Sequence, residues 1–157
     1  MTQTELDAID HRIINVLQRE GRISNLDLAE RVGLSPTPCS RRLKRLEDTG
    51  VISGYGARIN PAALGLGISA IVSVRLRRQT PTNFKTFFSR VCGHPEITEC
   101  LLVAGDVDYI LRVRVRDVDA LKTFLLEKVQ LIESVSHTST MLILEVTKSV
   151  DALMLED

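Results

Sequence analysis

The stretch from Leu26 to Leu46, LDLAERVGLSPTPCSRRLKRL, constrains this chain more than any other. Leu26, Leu28, Ala29, Val32, Leu34, Leu43 and Leu46 have the spacing of two short helices packed on each other. Gly33 falls where the first helix must stop and the chain reverse. Ser35 stands at the N-cap of the second helix, with Pro36 at its first position, where no backbone N–H is missed. Pro38 lies in the same first turn, whose N–H groups lack helical partners anyway. The helix then carries Arg41, Arg42, Lys44 and Arg45. This pattern predicts a helix-turn-helix whose second helix is a DNA-reading element.

Composition has to allow that reading. The chain has 157 residues, 44% apolar and 25% charged, enough for one domain or two small ones with ordinary cores. No apolar run approaches the ~18–20 residues of a membrane span. The polar, acidic start does not resemble a signal peptide, so a cytoplasmic protein is expected. Cys39, Cys92 and Cys100 lack metal-like spacing and read as reduced thiols, Cys39 as a core residue. His11, His94 and His137 are scattered, so neither metal nor cofactor is expected. Formal net charge is zero, which fits a DNA binder only if the positive charge is local. It is: residues 1–60 hold nine Lys/Arg against eight Asp/Glu, and four of those nine lie between Arg41 and Arg45.

Taken in order, residues 5–20 form a first helix, with Leu6, Ile9, Ile13 and Leu17 on one face and Asp7 and Asp10 near its start. Ser24 caps the second helix, with Asp27 completing a capping box. The third runs from Ser35 to about Thr49. Cys39, Leu43 and Leu46 face inward; Thr37, Ser40, Arg41 and Lys44 face outward, with Arg45 at the edge. Val51 to Ile59 suggests a short hairpin, a wing or a linker, and Asn60-Pro61 a boundary. Residues 1–60 and 61–157 are thus the expected domains.

The second half alternates. Gly67–Arg77 reads as a strand with Ile68, Ala70, Val72, Val74 and Leu76 on one face. Phe84, Phe87, Phe88 and Val91 are helix-spaced. Ile97–Ala104 and Tyr109–Arg116 read as strands around a turn at Gly105–Asp108. Val118, Leu121, Phe124, Leu125 and Val129 mark a helix, and Thr140–Thr147 a last strand with Leu142, Leu144 and Val146 on one face. The fold class is α+β: a helix-turn-helix, winged-helix-like domain followed by a βαββαβ ferredoxin-like domain. The uncovered sheet face carries Ile71, with Leu102 and Ile110 as candidates beside it and several polar residues, and is suited to another subunit.

A helix-turn-helix followed by βαββαβ resembles the Lrp/AsnC family of transcription regulators over nearly the whole chain. The resemblance rests on Asp10 with Gly21-Arg22, Leu28-Ala29, Gly33–Thr37, Arg42-Leu43 with Leu46-Glu47, Gly50–Ile52 and Gly105–Tyr109. It implies double-stranded DNA as partner, a homodimer that often assembles further, and a small effector, usually an amino acid, bound between subunits. It also implies that the Gly105–Asp108 turn lines that pocket.

Candidate DNA-binding residues are Ser35, Thr37, Ser40, Arg41, Arg42, Lys44 and Arg45, with Thr37, Ser40 and Arg41 nearest base edges. The plainer reading is a solvated helix face pairing with Glu47 and Asp48. Candidate effector residues are Gly105, Asp106, Val107, Asp108, Tyr109, Thr138 and Thr140. Asp106 or Asp108 could accept from an ammonium group and backbone N–H groups could hold a carboxylate, though Gly and Asp are also ordinary turn residues. Arg112, Arg114 and Arg116 read as arginines at a subunit interface. No enzymatic activity is expected. The alternative is an enzyme that decarboxylates siroheme-type tetrapyrroles, which a branch resembling this family does; it needs a buried cavity with His and Arg for the macrocycle's carboxylates, for which His94, His137 and the Arg112/Arg114 strand are available.

Overall fold

The structure is a computed structural model and describes residues 5–148 and residue 153. Asp7 opens the first helix. Its carboxylate accepts from the N–H groups of Ile9 and Asp10, and Asp10 accepts in return from the Asp7 N–H. This reciprocal pair satisfies donors that a helix start leaves open, and α1 runs Ala8–Arg19. α2 (Asn25–Val32) is capped by Ser24, which accepts from the Asp27 N–H. Gly33 ends it at φ 74°, a left-handed conformation that a side chain would strain, and the Leu34 N–H returns to the Ala29 carbonyl at 2.8 Å. α3 spans Pro36–Asp48.

Ser35 occupies the N-cap position of α3, but its hydroxyl makes no capping hydrogen bond. A capping side chain accepts from the second or third N–H of the helix, and the third residue here is Pro38, which has none. The three helices enclose Ile13, Leu28, Ala29, Val32, Cys39 and Leu46, flanked by Leu6, Ile9, Leu17, Leu43 and Ile52. No strand forms among residues 51–60, so of the expected alternatives the linker is the one that fits. The Ile52 N–H donates to the Leu46 carbonyl (3.0 Å) and the Tyr55 hydroxyl to Glu47 (2.9 Å), which fixes that linker to α3.

The capping box has a consequence in acid. The Asp10 N–H first, and the Arg42 guanidinium second, hold the Asp7 carboxyl at about 2, below its ordinary 3.8. Folded pKa below unfolded pKa means a stabilisation present above 3.8 and lost as pH falls through about 2. Thermal melts between these limits should fall more steeply for the natural protein than for Asp7→Asn, whose capping group does not titrate. Equal slopes would show that Asp7 contributes nothing to acid stability.

The second unit alternates strands and helices: β1 (Ile68–Leu76), α4 (Pro81–Val91), β2 (Ile97–Leu102), β3 (Tyr109–Val115), α5 (Val118–Phe124) and β4 (Val135–Leu142). The sheet order is β2-β3-β1-β4 and every pairing is antiparallel. This is the βαββαβ arrangement expected, with α4 and α5 on one face. Val72, Val74, Leu111, Val113, Phe87, Val91 and Phe124 form the core between the layers. The last turn of α5 widens, so that the Gln130 N–H reaches five residues back to Leu125 at 2.9 Å.

Two strand assignments change. β4 begins at Val135 rather than Thr140, because Thr138 and Thr140 pair with Val74 and Val72. The expected inward row of Leu142, Leu144 and Val146 is exposed. On β2, Leu102 pairs with Tyr109 on the helix-covered side. Leu101 pairs with Ile110 and so joins Ile71 and Met141 on the open face.

The chain divides into two compact units, one reaching Arg58 and the other spanning Ile59–Thr147. Lys148 and Leu153 group with the first unit, where Leu153 exchanges two hydrogen bonds with Gln18. The expected domains are 1–60 and 61–157; the compact units part at Arg58 and Ile59.

Candidate functional site

The outward side of α3 carries Thr37, Ser40, Arg41 and Lys44, all exposed. With Pro36 and Asn25 they line one shallow depression. Asn25 had no sequence signal beyond its place at the start of α2; its amide donates to the Pro36 carbonyl at 3.0 Å and ties the two helix starts together. Neither Arg41 nor Lys44 forms an ion pair or a side-chain hydrogen bond with any described residue. Two cations and two hydroxyls beside a helix N-terminus suit acidic phosphates and base-edge acceptors.

Arg42 and Arg45 do not belong to that surface as expected. Arg42 donates to Asp7 (2.7 Å) and Asp10 (3.0 Å), and Arg45 donates to the other oxygen of Asp10. The Asp10 side chain is only 1% exposed. Both guanidiniums leave the flank of α3 to neutralise a carboxylate that could not stay charged alone in the interior. The continuous field of four cations is thus corrected to two without an acidic partner and two at the flank that are paired with Asp7 and Asp10. Ser35 remains exposed beside the outward pair, its hydroxyl free of capping duty.

The turn at Gly105–Asp108 is also resolved into separate roles. The Val103 N–H donates to the Asp108 carbonyl (3.0 Å) and closes the hairpin, while Gly105 sits at φ 154°, which favours glycine. Asp108 is buried, not presented: its carboxylate accepts from the Leu76 N–H (2.7 Å) and the Gln79 amide (2.8 Å). Tyr109 is buried among Phe84 and Phe87 beneath the sheet. Asp106 is exposed, and its carbonyl accepts from the Arg75 guanidinium at 2.8 Å. Sequence reasoning gave Arg75 no role; its outward place in the β1 alternation was the available signal. Among the described residues no acceptor takes the N–H groups of Gly105, Asp106 or Val107.

Thr138 and Thr140 do not join this turn. They lie on β4, across β1 from β3, and Thr138 accepts from the Gln130 amide at 3.0 Å. Two strand spacings, about 10 Å, separate the rows. Of the expected set, Gly105, Asp106 and Val107 stay together at an accessible edge; Asp108, Tyr109, Thr138 and Thr140 do not.

The residues named for the tetrapyrrole alternative divide between two faces of the sheet, with exposed His137 opposite Arg75 on the open side. His94 packs edge-to-face on Phe124 on the helix side, whereas Arg112 and Arg114 lie on the open face and pair with Ile71 and Ser69. Among the described residues, no three His, Cys, Asp or Glu groups are placed to hold a metal.

A helix-turn-helix with an exposed cationic reading face, joined to an α+β ligand-binding unit, defines a DNA-binding transcriptional regulator. Residues 6–53 match the family model described as winged helix-turn-helix DNA-binding, and residues 69–153 match the Lrp/AsnC ligand binding domain. The chain belongs to the Lrp/AsnC family. It is 43% identical to the leucine-responsive regulatory protein of Escherichia coli K12 over 97% of this chain and 93% of that one. The Haemophilus influenzae protein of the same name is 44% identical over 96% and 91%. Among solved structures, a Neisseria meningitidis transcriptional regulator in complex with L-Met superposes with a TM-score of 0.91 at 35% identity, covering 96% of this chain and 97% of that one. An AsnC family regulator from Agrobacterium tumefaciens gives 0.88 at 34%, over 95% and 97%.

Proposed function

We propose that Thr37, Ser40 and Arg41 read base edges in the major groove, while Lys44, Ser35 and Asn25 hold phosphate. The observation that carries this reading is the division of the four α3 cations: Arg41 and Lys44 are exposed without an acidic partner, whereas Arg42 and Arg45 are each paired with Asp10. The protein acts as a homo-oligomer in the cytoplasm, its copies joined through the open sheet face, where Ile71, Leu101, Ile110 and Met141 form an apolar patch. Two α3 helices of a dimer then enter successive major grooves about 10 bp apart on a near-palindromic operator. Affinity for duplex DNA should fall steeply with salt, with a slope near −0.9 per neutralised phosphate. A flat salt profile in a gel-shift or anisotropy titration contradicts the assignment.

The effector in this proposal is an amino acid. The Neisseria regulator was solved with L-Met, and the curated relatives are named leucine-responsive. The unsatisfied N–H groups of Gly105, Asp106 and Val107 suit a carboxylate, and the Asp106 carboxylate suits an ammonium. A thermal-shift screen of the proteinogenic amino acids tests it, since a ligand at a hundredfold its Kd adds about 2.7 kcal/mol to the folded state. Two variants separate binding from folding. Asp106→Ala should abolish the shift and leave the unliganded melting point unchanged. Asp108→Ala should destabilise the unliganded fold by about 1–3 kcal/mol and so lower its melting point, because it strips acceptors from a buried backbone N–H and from Gln79. The reverse pattern would move the effector site away from the turn's exposed carboxylate.

A further inference from the structure

We propose that the cleft between α4 and the segment joining α5 to β4 is a second ligand site, built for a phosphorylated small molecule of nucleotide size. The cleft has a volume of about 950 Å³, within the range of small-molecule sites, and shares no residue with the Gly105–Val107 turn. Its wall gathers cations from three places: Arg77 and Arg78 beyond the end of β1, Arg90 from α4, and Lys128 from the widened turn of α5.

These cations differ in what already holds them. Lys128 is matched by Glu96 at 2.7 Å. Arg77 donates Nε to the Glu133 carbonyl at 2.9 Å, which fixes the stem of its side chain. The guanidiniums of Arg78 and Arg90 have no partner among the described residues. Three guanidiniums around one hollow repel one another in water and gain most from a multiply charged anion. Asn83, Thr86 and Ser89 add neutral polar groups to the same wall.

The second observation is a buried hydroxyl. Ser134 lines the cleft and is only 9% exposed, and its Oγ has no hydrogen-bond partner among the described residues. The Ser134 carbonyl accepts from the Arg77 N–H at 2.8 Å, so the residue is held in place by backbone. A buried hydroxyl left without a partner is unfavourable, and an oxygen-rich ligand relieves it. Size and sign narrow the ligand further. One amino-acid carboxylate engages a single guanidinium and fills little of this volume. A nucleotide places its phosphates on the arginines, its hydroxyls and base amino group against Glu127 and Glu133, and its base against the exposed Leu131.

The test uses the full chain titrated into mant-ATP, followed by fluorescence anisotropy, with unlabelled ATP, pyrophosphate, adenosine and leucine as competitors. ATP and pyrophosphate should displace the probe; adenosine and leucine should not. Arg78→Glu combined with Arg90→Glu should weaken binding at least roughly tenfold, and Ser134→Ala severalfold. Both variants should keep the natural affinity for duplex DNA, which also shows that they are folded. The proposal is overturned if mant-ATP does not bind at millimolar protein, or if binding survives the double charge reversal. It is equally overturned if binding is lost in Arg41→Glu instead, since the nucleotide would then sit on α3.

Discussion

Replacing Arg42 and Arg45 together by leucine lowers the stability of the helical unit by about 3–5 kcal/mol. On a unit of this size, at about 4–8 °C per kcal/mol, that is a drop in melting temperature of about 12–40 °C. The cause is Asp10, not the arginines. Its side chain is 1% exposed and accepts from the Asp7 N–H (3.1 Å), Arg42 (3.0 Å) and Arg45. With both guanidiniums gone, a single backbone N–H faces a carboxylate that has lost its water, and the charged form becomes very unfavourable in the interior. Asp10→Ala alone should cost less, since Arg42 and Arg45 are 30% and 44% exposed and can return to solvent. The triple variant with Asp10→Leu should recover much of the loss, because an apolar replacement of a whole buried ion cluster is often near neutral. Urea unfolding of the single, double and triple variants forms the cycle that isolates this coupling. An unchanged midpoint in the leucine pair would mean that the cluster does not hold α1 against α3.

That cluster shows what the sequence could and could not reveal. Asp7 and Asp10 stand three apart, as do Arg42 and Arg45, so each pair lies on one helix face. The match is visible in the sequence, but only a known crossing of α1 and α3 tells which faces meet across 35 residues. Without it, four clustered cations read as one outward field. Local signals fared better because their partners are local. The cap at Ser24 and the stop at Gly33 lie within four residues of the groups they satisfy; the cap at Asp7 is as local, but in the sequence it reads only as charge near the helix start. The alternation of β1 and β3 was legible for the same reason: each has a face of β-branched and leucine side chains that must be buried.

β4 was misplaced where local pattern and tertiary pairing disagree. Leu142, Leu144 and Val146 alternate like a buried strand face, yet they are exposed in the single chain. The ladder instead uses the polar run from Ser136 to Thr140, whose register is set by its neighbour β1. Asp106 and Asp108 were indistinguishable for a related reason. Which carboxylate turns inward depends on the buried Leu76 N–H, 32 residues away, that needs an acceptor.

Arg41→Ala should weaken operator binding roughly 5- to 150-fold, the effect of 1–3 kcal/mol from a good base-edge contact, and should flatten preference at one operator position. Lys44→Ala should weaken binding to all duplexes alike and reduce the salt slope by about 0.9 per protomer. Neither change should move the melting point, because neither side chain bonds to another described residue. Arg42→Ala provides the contrast: any loss of DNA binding there should track a fall in stability and shrink when folding is restored by low temperature. The discrimination matters because a basic helix can lose affinity by losing its fold or by losing its contacts, and only the second leaves unfolding midpoints alone. If Arg41→Ala and Lys44→Ala both bind operator like the natural protein, the exposed face of α3 is a solvated surface, and DNA must be held elsewhere on the chain.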